Sequence, residues 1–108
     1  MKKTMELLKP VVTLSGDTLS ELSFDFDTLT PADYRQITRL EAKLRGAQVS
    51  MEYSPSKSTS SEFRMATAWV AAVKGTKGLC FDDYERLNML DLLSLEEWGL
   101  LFIGRCLE

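Results

Sequence analysis

The first third of the chain carries a pattern typical of a β-hairpin. Leu22, Phe24 and Phe26 alternate with polar residues, so an extended strand would carry all three on one face. An apolar run at residues 11–14 precedes them, and the Ser-Gly-Asp-Thr between the two runs is typical of a turn. We therefore predict an antiparallel hairpin over about residues 9–27. Its apolar face must be covered by other elements, because a lone two-stranded ribbon is marginally stable in water.

The spacing of apolar residues changes from strand-like to helical at Thr30. This residue suits an N-cap, Pro31 fits the first turn, and Asp33 places a negative charge near the positive end of the helix dipole. A stripe at helical spacing follows, formed by Tyr34, Ile37, Leu40 and Leu44. The pattern predicts a first helix over about residues 31–45, with this stripe packed against the hairpin.

The middle of the chain joins a polar segment to an almost wholly apolar one. Residues 46–59 are rich in serine and predict a flexible loop. The alternative is a short strand within it, because apolar residues alternate there at Val49, Met51 and Tyr53. Thr59 and Glu62 have the spacing of a capping box for a second helix over about residues 60–74. That helix is apolar on nearly every side, so it lies either at the centre of the core or partly against another protein.

Two more helices are predicted toward the C-terminus. A short one covers about residues 82–88, with Asp82 and Asp83 suited to its N-terminus, and a longer apolar one covers about residues 90–104. The predicted fold is a single α+β domain, mostly α, with an N-terminal hairpin followed by three to four helices. At 108 residues the chain is long enough for one modest core.

Composition and charge exclude several function classes. The chain is 44% hydrophobic and 27% charged, with a net charge of −3, which is ordinary for a soluble globular domain. Nucleic-acid binding is not expected, because it needs a clustered basic face. The cations of the predicted first helix are instead interleaved with Glu41 and read as a solvated face, formed by Arg35, Arg39, Lys43 and Arg45.

The cysteines and the termini predict a cytoplasmic protein without a membrane partner. Cys80 and Cys106 lie among apolar residues and are expected to be small buried side chains in a reducing compartment rather than a disulfide. The N-terminus lacks the apolar core of a signal peptide. The densest apolar run, residues 100–103, is far shorter than the roughly 20 residues that a bilayer requires.

Residues that could carry out catalysis are scarce. Histidine is absent, which removes the commonest general base and most zinc sites. Asp25 and Asp27 share one face of a strand and could hold a hard cation, but Leu29 and Thr30 stand where a calcium loop would need a ligand and a glycine. No phosphate-binding glycine loop is present. We therefore expect no enzyme, no metal and no cofactor.

Three segments of the chain resemble the small tail assembly chaperones of long-tailed bacteriophages. They are KPVVTLSGDTLSELSFDFDTLTPADYRQITRLEAKL, SSEFRMATAWVAAVKG and FDDYERLNMLDLL, within a resemblance that covers residues 9–104. The resemblance implies a mostly helical protein that binds the long, hydrophobic tape-measure protein before the tail polymerises. It also implies a longer, frameshifted form that engages tail-tube subunits.

The large, adaptable apolar side chains of the two long C-terminal helices are the candidate contacts for a partner. The predicted partner-binding residues are Met65, Trp69, Val73, Trp98, Phe102 and Ile103. Self-association through the same surfaces is also expected, giving a homo-oligomer. A small oligomeric scaffold or adaptor is the alternative function, and a metal-dependent enzyme that uses Asp25 and Asp27 is a more distant one.

Overall fold

The computed structural model describes residues 2–45 and 61–106, and it has the predicted α+β, mostly α fold. A two-stranded antiparallel sheet is followed by helices. The elements are β1 (Lys2–Val12), β2 (Thr18–Asp25), α1 (Pro31–Leu44), α2 (Ser61–Gly75), a 3-10 helix (Phe81–Arg86) and α3 (Met89–Cys106). The predicted loop at residues 46–59 and the predicted cap Thr59 lie outside the described residues.

The hairpin begins earlier than its sequence pattern predicts. Lys2 pairs with Asp25 and Met5 with Leu22, so β1 starts seven residues before the predicted start at residue 9. The N-terminal segment carries too few apolar residues for its pattern to predict a strand. It forms one because it pairs with β2, which is long and strongly alternating. Leu22, Phe24 and Phe26 are buried, as their alternation predicts.

β1 leaves its partner strand in the middle. Glu6 pairs with Glu21 and Val11 with Leu19, so the four residues 7–10 stand opposite Ser20 alone. Pro10 lies in this unpaired part, where its missing N–H removes no hydrogen bond between the strands. The N–H groups of residues 8 and 9 instead bind the buried carboxylate of Asp91 on α3, at 2.8 and 3.3 Å. The bulge is therefore held by a side chain from the far end of the chain.

A side chain also binds the backbone at the other edge of the hairpin, which β2 forms. The Thr76 hydroxyl, just after α2, accepts a hydrogen bond from the Ser23 N–H at 2.9 Å and donates one to the Ser23 carbonyl at 3.0 Å. This pair of bonds fixes the end of α2 against β2. It also removes one donor and one acceptor from an edge that could otherwise pair with another strand.

The junction before α1 has the predicted cap. The Thr30 hydroxyl accepts from the Asp33 N–H at 3.3 Å, and the Asp33 carboxylate accepts from the Thr30 N–H at 2.8 Å, which completes a capping box. The same carboxylate pairs with Lys74 at 2.7 Å, so the start of α1 is fixed to the last turn of α2. This tertiary tie was not apparent from the sequence.

Thr30→Ala is expected to lower the free energy of unfolding by about 1 kcal/mol, because it leaves the Asp33 N–H without its acceptor. Urea denaturation followed by circular dichroism measures the change. Thr18→Ala, at an exposed position at the start of β2, is the control and is expected to shift stability by less than about 0.5 kcal/mol. Equal midpoints for Thr30→Ala and the parent would show that the cap adds nothing to stability.

α2 is the centre of the core. It packs against α1, α3 and β2, and Trp69 and Val70 are fully buried. Small residues bring its neighbours close: a Cβ at Gly99 of α3 would overlap the backbone carbonyl of Arg64 on α2. The sequence left open whether this helix is central or shared with another protein. Most of its apolar side chains are buried among the described residues, and Val73 in its last turn is partly buried.

The cover of the hairpin differs from the prediction. The stripe of α1 packs mainly on α2, whereas the apolar face of β2 is covered by α2 and by aromatic side chains of α3. Ile37 and Leu40 of the stripe are buried, but Tyr34 is about half exposed, at 51%. The alanines of α2 let it approach the sheet closely, and α1 is left on its outer side.

The short helix after α2 is a 3-10 helix, and Asp83 caps it as predicted. The buried Asp83 carboxylate accepts from the Cys80 N–H at 2.8 Å and also from the Leu14 N–H at 2.9 Å. The second bond fixes the hairpin turn to this helix. The Trp69 indole N–H donates to the Phe81 carbonyl at 2.8 Å, which attaches the same helix to α2.

Two side chains contradict their sequence-based prediction. Cys80 is exposed rather than buried, because it precedes the 3-10 helix at the surface, where its backbone N–H and carbonyl bind Asp83. Glu41 is buried although its neighbours in sequence form a solvated face, and it pairs with Arg45 at 2.9 Å. Burial of that carboxylate is tolerated because the ion pair compensates for lost hydration.

Candidate functional site

The six predicted partner-binding residues divide into two groups. Met65 is 8% exposed and Trp69 is fully buried, both within the core cluster. Val73, Trp98, Phe102 and Ile103 are partly buried and pack against that cluster. A buried side chain cannot contact another protein unless the chain opens, so Met65 and Trp69 do not belong to the exposed surface of the folded chain.

The aromatic residues of α3 face inward and cover the hairpin. Trp98 packs on Phe24 with ring centroids 5.2 Å apart, and Phe102 stacks on Phe26 at 4.7 Å. Phe24 and Phe26 stack on each other at 5.6 Å. These contacts join the sheet to the last helix.

An apolar pocket opens where α1, α2 and the end of α3 meet. Its volume is about 230 Å³, and it is lined by Leu29, Tyr34, Ile37, Phe63, Phe102 and Ile103. The pocket brings together two predicted partner-binding residues with the exposed Tyr34 ring. Apart from Thr30 and Thr67 its lining side chains are apolar or aromatic, so it could accept an aliphatic or aromatic side chain.

An exposed apolar surface lies on the side of α3 that points away from the core. We call it the α3 outer face. It is formed by Met89, Leu90, Leu93, Leu100 and Leu101, each at least half exposed. Met89, Leu93 and Leu100 follow at spacings of four and seven residues, which places them on one side of the helix. Five large apolar side chains on one helix face indicate a contact surface.

The sequence contained this face but did not distinguish it. α3 is apolar both on the side that carries Leu95 and Trp98 and on the side that carries Leu93 and Leu100. Aromatic size led the prediction to Trp98 and Phe102, whose rings pack on Phe24 and Phe26 and are partly buried. A helical wheel separates the two sides, but only the position of the sheet shows which one is buried.

Acidic residues near this surface differ in their pairing. Glu96 pairs with Arg64 of α2 at 3.1 Å. Glu97, the next residue, is exposed and has no ion-pair partner within 4.0 Å among residues 2–45 and 61–106. One carboxylate is thus held within the chain, and the other is presented to solvent.

Asp25 and Asp27 lie at and just beyond the end of β2. Asp25 is partly buried and Asp27 exposed, as expected for the face opposite Phe24 and Phe26. Within the described ranges, no three acidic, cysteine or histidine side chains come close enough to hold an ion. In the same ranges, no helix has both the length and the apolar character needed to cross a membrane.

The Asp33 carboxyl makes stability depend on acidity. Burial raises its pKa, but hydrogen bonds from Lys74 and from the Thr30 N–H and hydroxyl outweigh burial, so the pKa lies below its ordinary value of 3.8. Because the pKa of Asp33 is lower in the folded chain than in the unfolded chain, the ionised carboxyl stabilises the fold at pH values above its unfolded pKa. This stabilisation is lost as the pH falls through the folded pKa.

We expect Asp33→Asn to lower the melting temperature at neutral pH and to make its decline below about pH 4 shallower than in the parent. Melting curves recorded by circular dichroism between neutral pH and about pH 2 measure both effects. Asp82→Asn, at an exposed acid, should retain the slope of the parent. Parallel curves for the parent and Asp33→Asn would show that this carboxyl is not linked to folding.

Comparison with other proteins does not assign the chain to a family. Neither the protein-family models nor the curated proteins nor the solved structures include a match to it. The resemblance to tail assembly chaperones therefore depends on its sequence motifs alone.

Proposed function

We propose that this protein is a tail assembly chaperone of a long-tailed bacteriophage or prophage, and that it binds the hydrophobic tape-measure protein during tail assembly. The observation that supports client binding is the α3 outer face, where five large apolar side chains lie exposed on one helix. The identity of the client comes from the sequence resemblance. Tail-tube subunits are further partners in this proposal.

The shape of the site suits binding rather than catalysis. The apolar pocket and the α3 outer face offer apolar contact, and the buried carboxylates of Asp83 and Asp91 are occupied by backbone N–H groups. A chaperone of a long helical client needs an apolar strip that covers the client until it assembles. In this proposal the protein acts in the host cytoplasm and is absent from the mature virion.

Co-expression with apolar helical segments of the tape-measure protein from the same genome tests the proposal. The parent chain should keep such a segment in the soluble fraction, and Leu93→Glu and Leu100→Glu should let it aggregate. Both leucines are about half exposed, at 50% and 52%, so the substitutions should leave the fold intact.

Leu14→Glu is the matched control. It makes the same substitution at a leucine that is 54% exposed, but in the hairpin turn. It should protect the tape-measure segment as well as the parent does. If the parent leaves every segment insoluble, the chaperone function is wrong, and the oligomeric scaffold or adaptor replaces it.

A further inference from the structure

We propose that the α3 outer face binds a client helix that carries one lysine or arginine at the centre of its apolar side, opposite Glu97. This inference deepens the client-binding function proposed above and rests on it. It specifies the chemistry of the partner: an amphipathic helix with a leucine-rich face and a single central cation.

Glu97 lies inside the apolar face rather than at its edge. Leu93 is four residues before it, and Leu100 and Leu101 are three and four residues after it, so one turn of helix separates the carboxylate from each. Any helix that covers these leucines also covers Glu97. A carboxylate enclosed by apolar groups is unfavourable unless a cation pairs with it.

No cation within the described chain meets this need. Glu96 has Arg64, but Glu97 has no partner within 4.0 Å in residues 2–45 and 61–106. The Glu97 carboxylate therefore faces solvent, and the cation that pairs with it must come from the bound molecule. Complementary charge of this kind also fixes the register of the bound helix and excludes partners with an acid at that position.

A second copy of α3 does not supply the complement. Pairing two α3 helices about their outer faces brings Glu97 near Glu97 of the copy or against its leucines. Arg105 is the only basic residue from 89 to 106 in the sequence. An antiparallel pair that joins it to Glu97 is centred near residue 101 and leaves Met89, Leu90 and Leu93 beyond the end of the other helix.

The dimensions of the face also favour a single client helix. From Met89 to Leu101 the helix rises about 18 Å, and a helix is about 10 Å wide with its side chains. Stable protein–protein interfaces involve about 20–30 residues on each partner, many more than the five apolar residues of this face and Glu97. A short strip suits reversible binding, which a chaperone needs in order to release its client.

Two synthetic amphipathic peptides of about 20 residues test the inference, identical except for lysine or glutamate at the centre of a leucine face. Fluorescence anisotropy measures the affinity of each. The parent chain should bind the lysine peptide about tenfold more tightly than the glutamate peptide. Glu97→Lys should reverse this preference, and Glu97→Gln should abolish it.

Glu21→Lys is the control, because it makes the same change of charge at an exposed residue of β2, away from α3. It should keep the preference of the parent. Equal affinity of the parent for both peptides, binding of neither peptide, or a preference that survives Glu97→Lys would overturn the inference. A parent that sediments as a dimer and is dissociated by Leu93→Glu would assign the face to a second copy and overturn it as well.

The two proposals fail in distinguishable ways. If the parent protects a tape-measure segment but shows no preference between the peptides, the charge inference is wrong and the chaperone function stands. If the parent prefers the lysine peptide but protects no tape-measure segment, the surface inference is supported and the phage client is wrong.

Discussion

Trp69→Ala is expected to lower the free energy of unfolding by about 4 kcal/mol, the largest loss expected from one side chain in this protein. The indole is fully buried at the centre of the core, packs edge-on against Tyr84 with centroids 6.3 Å apart, and donates to the Phe81 carbonyl. Its removal leaves a cavity and takes the indole donor away from the Phe81 carbonyl. Domains of this size are stable by about 5–15 kcal/mol, so a large part of the total is lost.

Urea denaturation followed by far-ultraviolet circular dichroism measures this loss without relying on tryptophan fluorescence. Trp69→Phe separates packing from hydrogen bonding and should cost about 2 kcal/mol. Tyr34→Ala, at a half-exposed aromatic residue, is the control and should cost less than about 1.5 kcal/mol. A midpoint for Trp69→Ala equal to that of the parent would show that the indole lies at a contact surface, as the sequence alone predicted, rather than in the core.

Asp91→Ala is expected to lower the free energy of unfolding by about 3 kcal/mol. The carboxylate is buried in the first turn of α3 and accepts from the N–H groups of Leu8 and Lys9. Those groups lie in the bulge of β1 and have no strand partner, so the substitution leaves two donors unsatisfied. The better helix propensity of alanine offsets only a few tenths of a kcal/mol.

Denaturation and amide hydrogen exchange together test this prediction. Exchange at Leu8 and Lys9 should accelerate in Asp91→Ala more than exchange at Leu22, whose strand pairing is unaffected. Asp82→Ala removes the same side chain from an exposed position and should change stability by less than about 0.5 kcal/mol. Unchanged exchange at Leu8 and Lys9 would contradict the role given to Asp91.

The exposed apolar face of α3 could be predicted only in part. The sequence assigned the contact to side chains that include Trp98 and Phe102, which are partly buried and pack on Phe24 and Phe26. Aromatic residues are as common in cores as in interfaces, so side-chain type could not decide between the two sides of α3.

Local features were determined by the sequence. The alternation of Leu22, Phe24 and Phe26 predicts the buried face of β2, and the Thr30–Asp33 junction predicts the start and the cap of α1. These features depend on backbone periodicity and on hydrogen bonds between residues at most three apart. Such interactions are encoded in neighbouring positions, so they can be recognised without knowing the fold.

Long-range features were decided only by the tertiary structure. The early start of β1 depends on its pairing with β2, and the bulge within it depends on Asp91, more than 80 residues away in the chain. The burial of α2 and the exposure of the α3 outer face depend on which helix lies against the sheet. A hydrophobic pattern indicates that burial of a face is favourable. Only the packing of the other elements determines which apolar faces are covered.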